Sequence, residues 1–179
     1  SSGASKGGMA SVYHRFFYPD DVDATVPYVA PSSHGTQDPR YVAFVAGLGT
    51  TNCRNRLVKF QRRALKKRAK LARFMDDQSF DILGKDRAIE FAILEMPFIF
   101  WQYEDADLCG EIPGAGASAR QIFDFLDRVV FVNGYNDDAL TYYEAYYYQS
   151  ATELGGPAVG ETGLEDLLRY PGQDGPEIL

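Results

Sequence analysis

Histidine is nearly absent from this chain: His14 and His34 are the only two in 179 residues. Cysteine is as scarce, and Cys53 and Cys109 lie far apart, so the clustered thiolates and imidazoles of a structural metal site are excluded. For these two cysteines a disulfide and a pair of free thiols both stay open; a disulfide would imply an oxidising compartment. No motif calls for a metal or a cofactor. Long apolar runs are missing too. The most apolar stretch, residues 88–101, is broken by Glu90, Glu95 and Pro97, which excludes a membrane span there. Neither a signal-peptide pattern nor an initiating Met stands at the N-terminus, and the chain is expected to be an interior segment of a longer polypeptide. What is present, 45% hydrophobic and 14% aromatic residues, is ample for a globular core.

Acidic residues are missing from one stretch. Residues 54–73 carry ten of the eighteen basic residues and no acid, which leaves eight basic against twenty-five acidic residues elsewhere. One reading of Arg54, Arg56, Lys59, Arg62, Arg63, Lys66, Lys67, Arg68, Lys70 and Arg73 is a nucleic-acid or anionic-membrane surface. The other is a solvated helix that packs Leu57, Phe60, Ala64, Leu65, Leu71 and Met75 on the protein while its cations pair with the acidic remainder. The sequence pI near 4.8 favours the second, so neither nucleic acid nor membrane is expected as a partner.

Gly3-Ala4-Ser5-Lys6-Gly7 has the G-x-S-x-G spacing of the nucleophile elbow of α/β-hydrolases, in which a serine stands on a sharp strand-to-helix turn with its hydroxyl exposed. Gly3 and Gly7 are expected to supply the room that larger side chains would fill. Residues 9–17 read as a helix ending before Pro19, and residues 22–30 as a strand. A strand should also lead into the elbow, yet only Ser1 and Ser2 precede Gly3. The fold orders its triad Ser, then Asp or Glu, then His. A helix rises about 1.5 Å per residue, which carries His14 roughly 13 Å from Ser5, outside hydrogen-bond reach. His34 stands in the polar loop of residues 32–36. The general base is therefore expected outside this chain. The Lys6 backbone N–H is expected to form half of the oxyanion hole.

From Pro31 onward the β–α alternation of a parallel sheet is lacking. Helices are expected at residues 54–75, at 87–103 with a break near Pro97, at 117–130 with Ser118 as cap, at 140–150 and at 163–169. The expected architecture is an α/β-hydrolase fragment: a strand-turn-helix-strand elbow segment in residues 1–31, a mostly helical lid insertion in 32–171, and a return towards the hydrolase core in 172–179. Aromatics are dense in the lid, at Phe98, Phe100, Trp101 and Tyr103 and again at Tyr142, Tyr143, Tyr146, Tyr147 and Tyr148. Each tyrosine hydroxyl needs a partner, so part of this set, with Trp101 and Tyr147 as candidates, is expected to line a wet substrate pocket. Glu95, Glu104 and Asp105 are candidates to hold a substrate's free α-amino group by charge-assisted hydrogen bonds.

Gly3-Ala4-Ser5-Lys6-Gly7-Gly8-Met9, Val12-Tyr13-His14-Arg15, Tyr28-Val29-Ala30-Pro31, Asn52-Cys53-Arg54, Phe100-Trp101-Gln102-Tyr103, Cys109-Gly110, Tyr146-Tyr147-Tyr148-Gln149 and Leu168-Arg169-Tyr170 occur in this order. Together they resemble the bacterial secreted prolyl tripeptidyl and tetrapeptidyl aminopeptidases, serine peptidases of the α/β-hydrolase fold, over nearly the whole chain. The resemblance implies Ser5 as nucleophile and, as substrate, peptides with free N-termini, from which short peptides are removed, often after proline, outside the cell. It also implies that Cys53 and Cys109 pair in the lid. The family's aspartate and histidine have no counterpart in this chain, so the remainder of the same polypeptide is an expected partner and the fragment alone is expected to be inactive. Esterase or lipase chemistry on the same elbow, or a non-catalytic peptide-binding lid fragment, are the alternatives.

Overall fold

A computed structural model describes residues 1–75 and 79–173. The chain divides after His34 into two compact units. The first holds β1 (Ser2–Ala4), α1 (Lys6–Phe17) and β2 (Val26–Tyr28). The two strands pair in parallel, with Ser2 opposite Val26, Gly3 opposite Pro27 and Ala4 opposite Tyr28. The strand that seemed to lack residues is thus Ser2–Ala4 itself, with Gly3 inside it. Helix α1 begins at Lys6, three residues earlier than its apolar pattern suggests. It ends where the Tyr18 N–H bonds the His14 carbonyl at 2.8 Å, and Arg15 complements the negative end of its dipole. The Arg15 guanidinium donates to the Pro19 and Val22 carbonyls and folds the connection back. Strand β2 is shorter than expected because Arg15 engages Val22 in that turn, while Val29, at φ 42°, leaves the extended region.

The second unit, from Gly35 on, is helical. Helix α2 (Pro39–Gly47), absent from the sequence reading, is capped by Asp38, whose carboxylate accepts the Arg40 N–H at 3.0 Å, with Pro39 at the first helical position. Helix α3 (Thr51–Leu71) starts at a Thr50 cap and runs into a 3₁₀ turn, Ala72–Phe74. Helix α4 (Lys85–Tyr103) leads to a 3₁₀ turn at Ala106–Glu111. Helix α5 (Ala119–Val130) opens on a capping box in which Ser118 and Gln121 satisfy each other's backbone N–H groups. Helix α6 (Asp137–Gln149) continues into a π turn, Ser150–Leu154. The expected helix at 163–169 is only a 3₁₀ turn, Glu165–Leu167. Of the expected return segment 172–179, residues 174–179 lie outside the described residues.

Helices α3, α4 and α5 pack on one another around Phe60, Leu65, Ile89, Ile93, Phe100, Ile122 and Leu126. The apolar face read for α3 is the observed one: Leu57, Phe60, Ala64, Leu65, Leu71 and Met75 are all buried. Several of its cations are engaged within the unit. Arg56 donates to the Gly110 and Ile112 carbonyls, Arg62 pairs with Asp166, Arg63 donates to the Pro113 carbonyl, and Lys67 to that of Ala117. Arg68 forms a buried ion pair with Glu90, which also accepts the backbone N–H groups of Arg169 and Tyr170. A ligand-binding face on α3 would have to compete with these bonds.

Helix α4 does not break at Pro97. A proline inside a helix leaves the carbonyl four residues earlier without its donor, here that of Ile93. The buried Gln61 side chain of α3 supplies one, with Nε2 at 2.9 Å from the Ile93 oxygen. The helix runs through because its neighbour repairs the bond.

Candidate active site

At the junction of β1 and α1, Ser5 adopts φ 53°, ψ −122°, a conformation that L-residues other than glycine rarely take. Such strain costs about 1–3 kcal/mol and persists only where the surroundings impose it. They do so here: the Ser5 N–H bonds the Tyr28 carbonyl of β2 at 3.0 Å, and its carbonyl accepts the Met9 N–H at 3.0 Å in the first turn of α1. Ser5 is exposed, and its hydroxyl does not cap the helix it precedes. The side chain thus stands on a tight strand-to-helix turn, held by backbone on both sides.

The glycines divide their work differently from the expected scheme. A Cβ on Gly3 would lie 2.3 Å from the Gly7 carbonyl oxygen, and one on Gly8 would lie 2.8 Å from the Tyr28 carbonyl oxygen. A Cβ on Gly7 would meet nothing within 4 Å. The close approaches require Gly3 and Gly8; Gly7 matters for its backbone. Lys6 occupies the first helical position after the turn. His14, further along α1, has Nε2 3.7 Å from the Asp21 carboxylate and its ring beside Tyr18. His34 is exposed.

In the second unit, α2, α3, α4 and the segment 157–162 enclose a cavity of about 300 Å³. Its walls are mostly apolar, from Val42, Val45, Val58, Leu94, Phe98 and Trp101, and Glu95 is its acidic group. The Tyr135 hydroxyl donates to Glu95 Oε2 at 2.5 Å. Burial raises the Glu95 carboxyl above its ordinary value against the lowering effect of that hydrogen bond. Burial raises the Tyr135 hydroxyl well above its usual value, and the Glu95 charge adds to it. The Tyr147 hydroxyl is pushed up to about 12, first by burial and then by the charge of Glu95.

Of the substrate-binding candidates, Glu95 and Trp101 line one cavity and Tyr147 lies within the electrostatic reach of Glu95. Glu104 is the C-cap of α4 and Asp105 the exposed N-cap of the following 3₁₀ turn; neither lines the cavity. Tyr135 and the α2 valines escaped the sequence reading. Tyr135 belongs to no aromatic run, and forty residues separate it from Glu95. The Asp38-Pro39 pair, a cap followed by proline, was the signal that could have found α2. Cys53, in the first turn of α3, and Cys109, in the turn after α4, are joined by a disulfide with Cα atoms 5.5 Å apart. Among the described residues no group of His, Cys, Asp or Glu could hold a metal ion, and no helix is long and apolar enough to cross a membrane.

Residues 1–177 match the family of the PS-10 peptidase S37. The chain belongs to that peptidase family. It is 37% identical, over 98% of its own length, to a prolyl tri/tetrapeptidyl aminopeptidase of Streptomyces mobaraensis. The chain spans 39% of that relative's length. No solved structure matches it.

Proposed function

We propose that this S37-family chain contributes the nucleophile and a helical lid to a serine peptidase of the α/β-hydrolase fold, which removes short peptides from free N-termini. In this reading residues 1–31 belong to the hydrolase core, residues 32–171 form the lid and residues 172–179 return to the core. The observation that carries the reading is the Ser5 backbone, with φ 53° on a turn between a strand and the helix that follows it. That geometry exposes a hydroxyl to an incoming carbonyl and sets the N–H of the next residue beside it.

Ser5 Oγ attacks the scissile carbonyl carbon, the C–N bond breaks with a proton delivered to the leaving amine, and water then hydrolyses the ester to release the acyl group. The Lys6 N–H supplies half of the oxyanion hole. The general base and the second oxyanion donor come from the part of the longer protein that this chain does not include, consistent with its 39% coverage of the relative. His14 is directed to Asp21 instead. The disulfide supports an extracellular, oxidising location.

The test is covalent labelling of the longer protein with a fluorophosphonate, alongside turnover of a proline-containing tripeptide amide. We expect label on Ser5, and loss of both label and at least a thousandfold of turnover in Ser5→Ala with its fold unchanged. Turnover retained in a clean Ser5→Ala preparation overturns the assignment.

A further inference from the structure

Backbone strain in the first unit is concentrated at two neighbouring points. Among the described residues, only Ser5, Val29 and Phe131 combine a side chain with positive φ. Two of these three sit side by side in the parallel sheet. Ala4 pairs with Tyr28, so the next residue of each strand, Ser5 and Val29, leaves the sheet at the same level, about 5 Å apart at the usual strand spacing. Valine is a costly residue at φ 42°, because its branched Cβ makes that conformation a genuine outlier where glycine is unstrained. The bend itself is imposed from both sides. Before it, Tyr28 is paired in β2 and its carbonyl accepts the Ser5 N–H at 3.0 Å. After it, Ala30 precedes Pro31, which confines Ala30 to extended conformations, and the Ala30 Cβ would lie 3.1 Å from a Cβ on Gly8 of α1. Residue 29 must therefore turn, yet nothing in the turn calls for valine. Packing within the unit does not call for it either, since Val29 is 83% exposed. Strained residues of this kind cluster at functional sites, and open α/β sheets bind ligands at the carboxyl ends of their strands, where both Ser5 and Val29 stand.

We propose that Val29 is a specificity-determining residue of the Ser5 site: its isopropyl group borders the acyl group that Ser5 carries and limits the bulk allowed next to the carbonyl carbon. The inference rests on the serine reading above. Once the Ser5 Oγ–acyl bond has formed the leaving group departs, whereas the acyl group stays on Oγ until water releases it. A side chain beside Ser5 therefore meets the acyl group in both steps. The bend at residue 29 is locked between the Tyr28 carbonyl bond and the Ala30-Pro31 segment, so the isopropyl group cannot withdraw by a turn of the backbone. It acts as a fixed apolar wall that a bulky acyl group must clear.

The test compares p-nitrophenyl acetate with p-nitrophenyl pivalate, which share a leaving group and differ in the methyl groups beside the carbonyl. The acetate-to-pivalate ratio of kcat/KM is measured for the longer protein, unmutated and as Val29→Gly and Val29→Phe. Val29→Gly is expected to lower that ratio by about tenfold or more and Val29→Phe to raise it by a similar factor, the scale on which pockets discriminate small apolar groups. Glycine adopts φ 42° without steric cost, so the first variant keeps the turn. A ratio that does not move, or that moves the same way in both variants, overturns the proposal. An equal loss on both esters also overturns it, and assigns Val29 to holding the Tyr28 carbonyl alone. Ser5→Ala separates the two readings. Ester turnover that survives Ser5→Ala removes the serine reading and this inference with it, whereas Ser5-dependent turnover with an unmoved ratio removes the Val29 inference alone.

Discussion

The strand-to-helix turn at Ser5 concentrates its constraints on single atoms. Gly3 has no room for a methyl group against the Gly7 carbonyl, whereas Gly7 has open space in the first turn of α1. Gly3→Ala forces β1 and α1 apart and is expected to cost about 1–3 kcal/mol, as overpacked interiors do. Gly7→Ala is expected to be neutral or to stabilise by up to about 1 kcal/mol, the helix propensity of alanine over glycine. Hydrogen exchange of the Ser5 and Met9 amides reads both, because these amides make the bonds that hold the turn. Equal protection in the two variants would mean that the turn is not set by the Gly3 contact. This contrast marks how much of the site could be read in advance. The motif spacing predicts a tight strand-to-helix turn at Ser5, and that turn is found there, since it is written in five consecutive residues. The assignment of space to Gly7 rather than Gly8 failed because the obstacle at Gly8, the Tyr28 carbonyl, arrives from a strand twenty residues away. Glu95 and Trp101 were legible as an acid and an aromatic in one helix; their partner Tyr135 was not, because nothing periodic connects α4 to the turn before α6.

Among the elements, α4 shows how tertiary contacts override local signals. Pro97 marks a helix break in sequence, and it becomes a helix interior only because Gln61 of α3 donates to the Ile93 carbonyl. Gln61→Leu would leave that buried oxygen without its donor, a loss expected to lower the unfolding free energy by about 1–3 kcal/mol. In Pro97→Ala, residue 97 regains an N–H that can bond Ile93 within the helix, so Gln61→Leu should cost much less in that background. A double-mutant cycle by denaturant unfolding measures the coupling. Additive effects would show that the Gln61 bond does not compensate for the proline. The same logic explains which elements were legible. Helices α3 and α5 announced themselves through an apolar stripe and a serine cap, and both lie within a few residues of their expected bounds. Helix α2 buries no residue fully: its apolar side, Val42 and Val45, is half-buried against the cavity and does not enter the packed core, which leaves a short stripe that is easy to miss. The segment at 163–169 is short and fixed from outside itself, by Arg62 on Asp166 and by Glu90 on the Arg169 and Tyr170 amides. Its local propensity therefore carried little information about its shape.

Across the molecule as a whole, the second unit is tied by bonds that join distant parts of the sequence. The disulfide joins residues 56 apart and spans the α3–α4 pair, closing a loop that contains the most buried part of the core. Next to it, Arg56 bridges to the Gly110 and Ile112 carbonyls, a noncovalent link between the same two segments. Closing a loop of this length in the unfolded chain corresponds to about 4 kcal/mol of stabilisation. For a chain of this size each kcal/mol moves the midpoint by about 2–4 °C, so Cys53→Ser with Cys109→Ser is expected to lower the Tm by about 8–16 °C. Calorimetry of the double variant beside the oxidised chain checks this, with unfolding fitted for each unit since the two need not melt together. Arg56→Gln in the disulfide-free background should then cost more than in the oxidised chain, because the covalent bond no longer holds Gly110 and Ile112 within its reach. A double cysteine variant that melts within about 2 °C of the oxidised chain would instead assign the link to Arg56 and the core, and leave the disulfide with no part in holding the unit together.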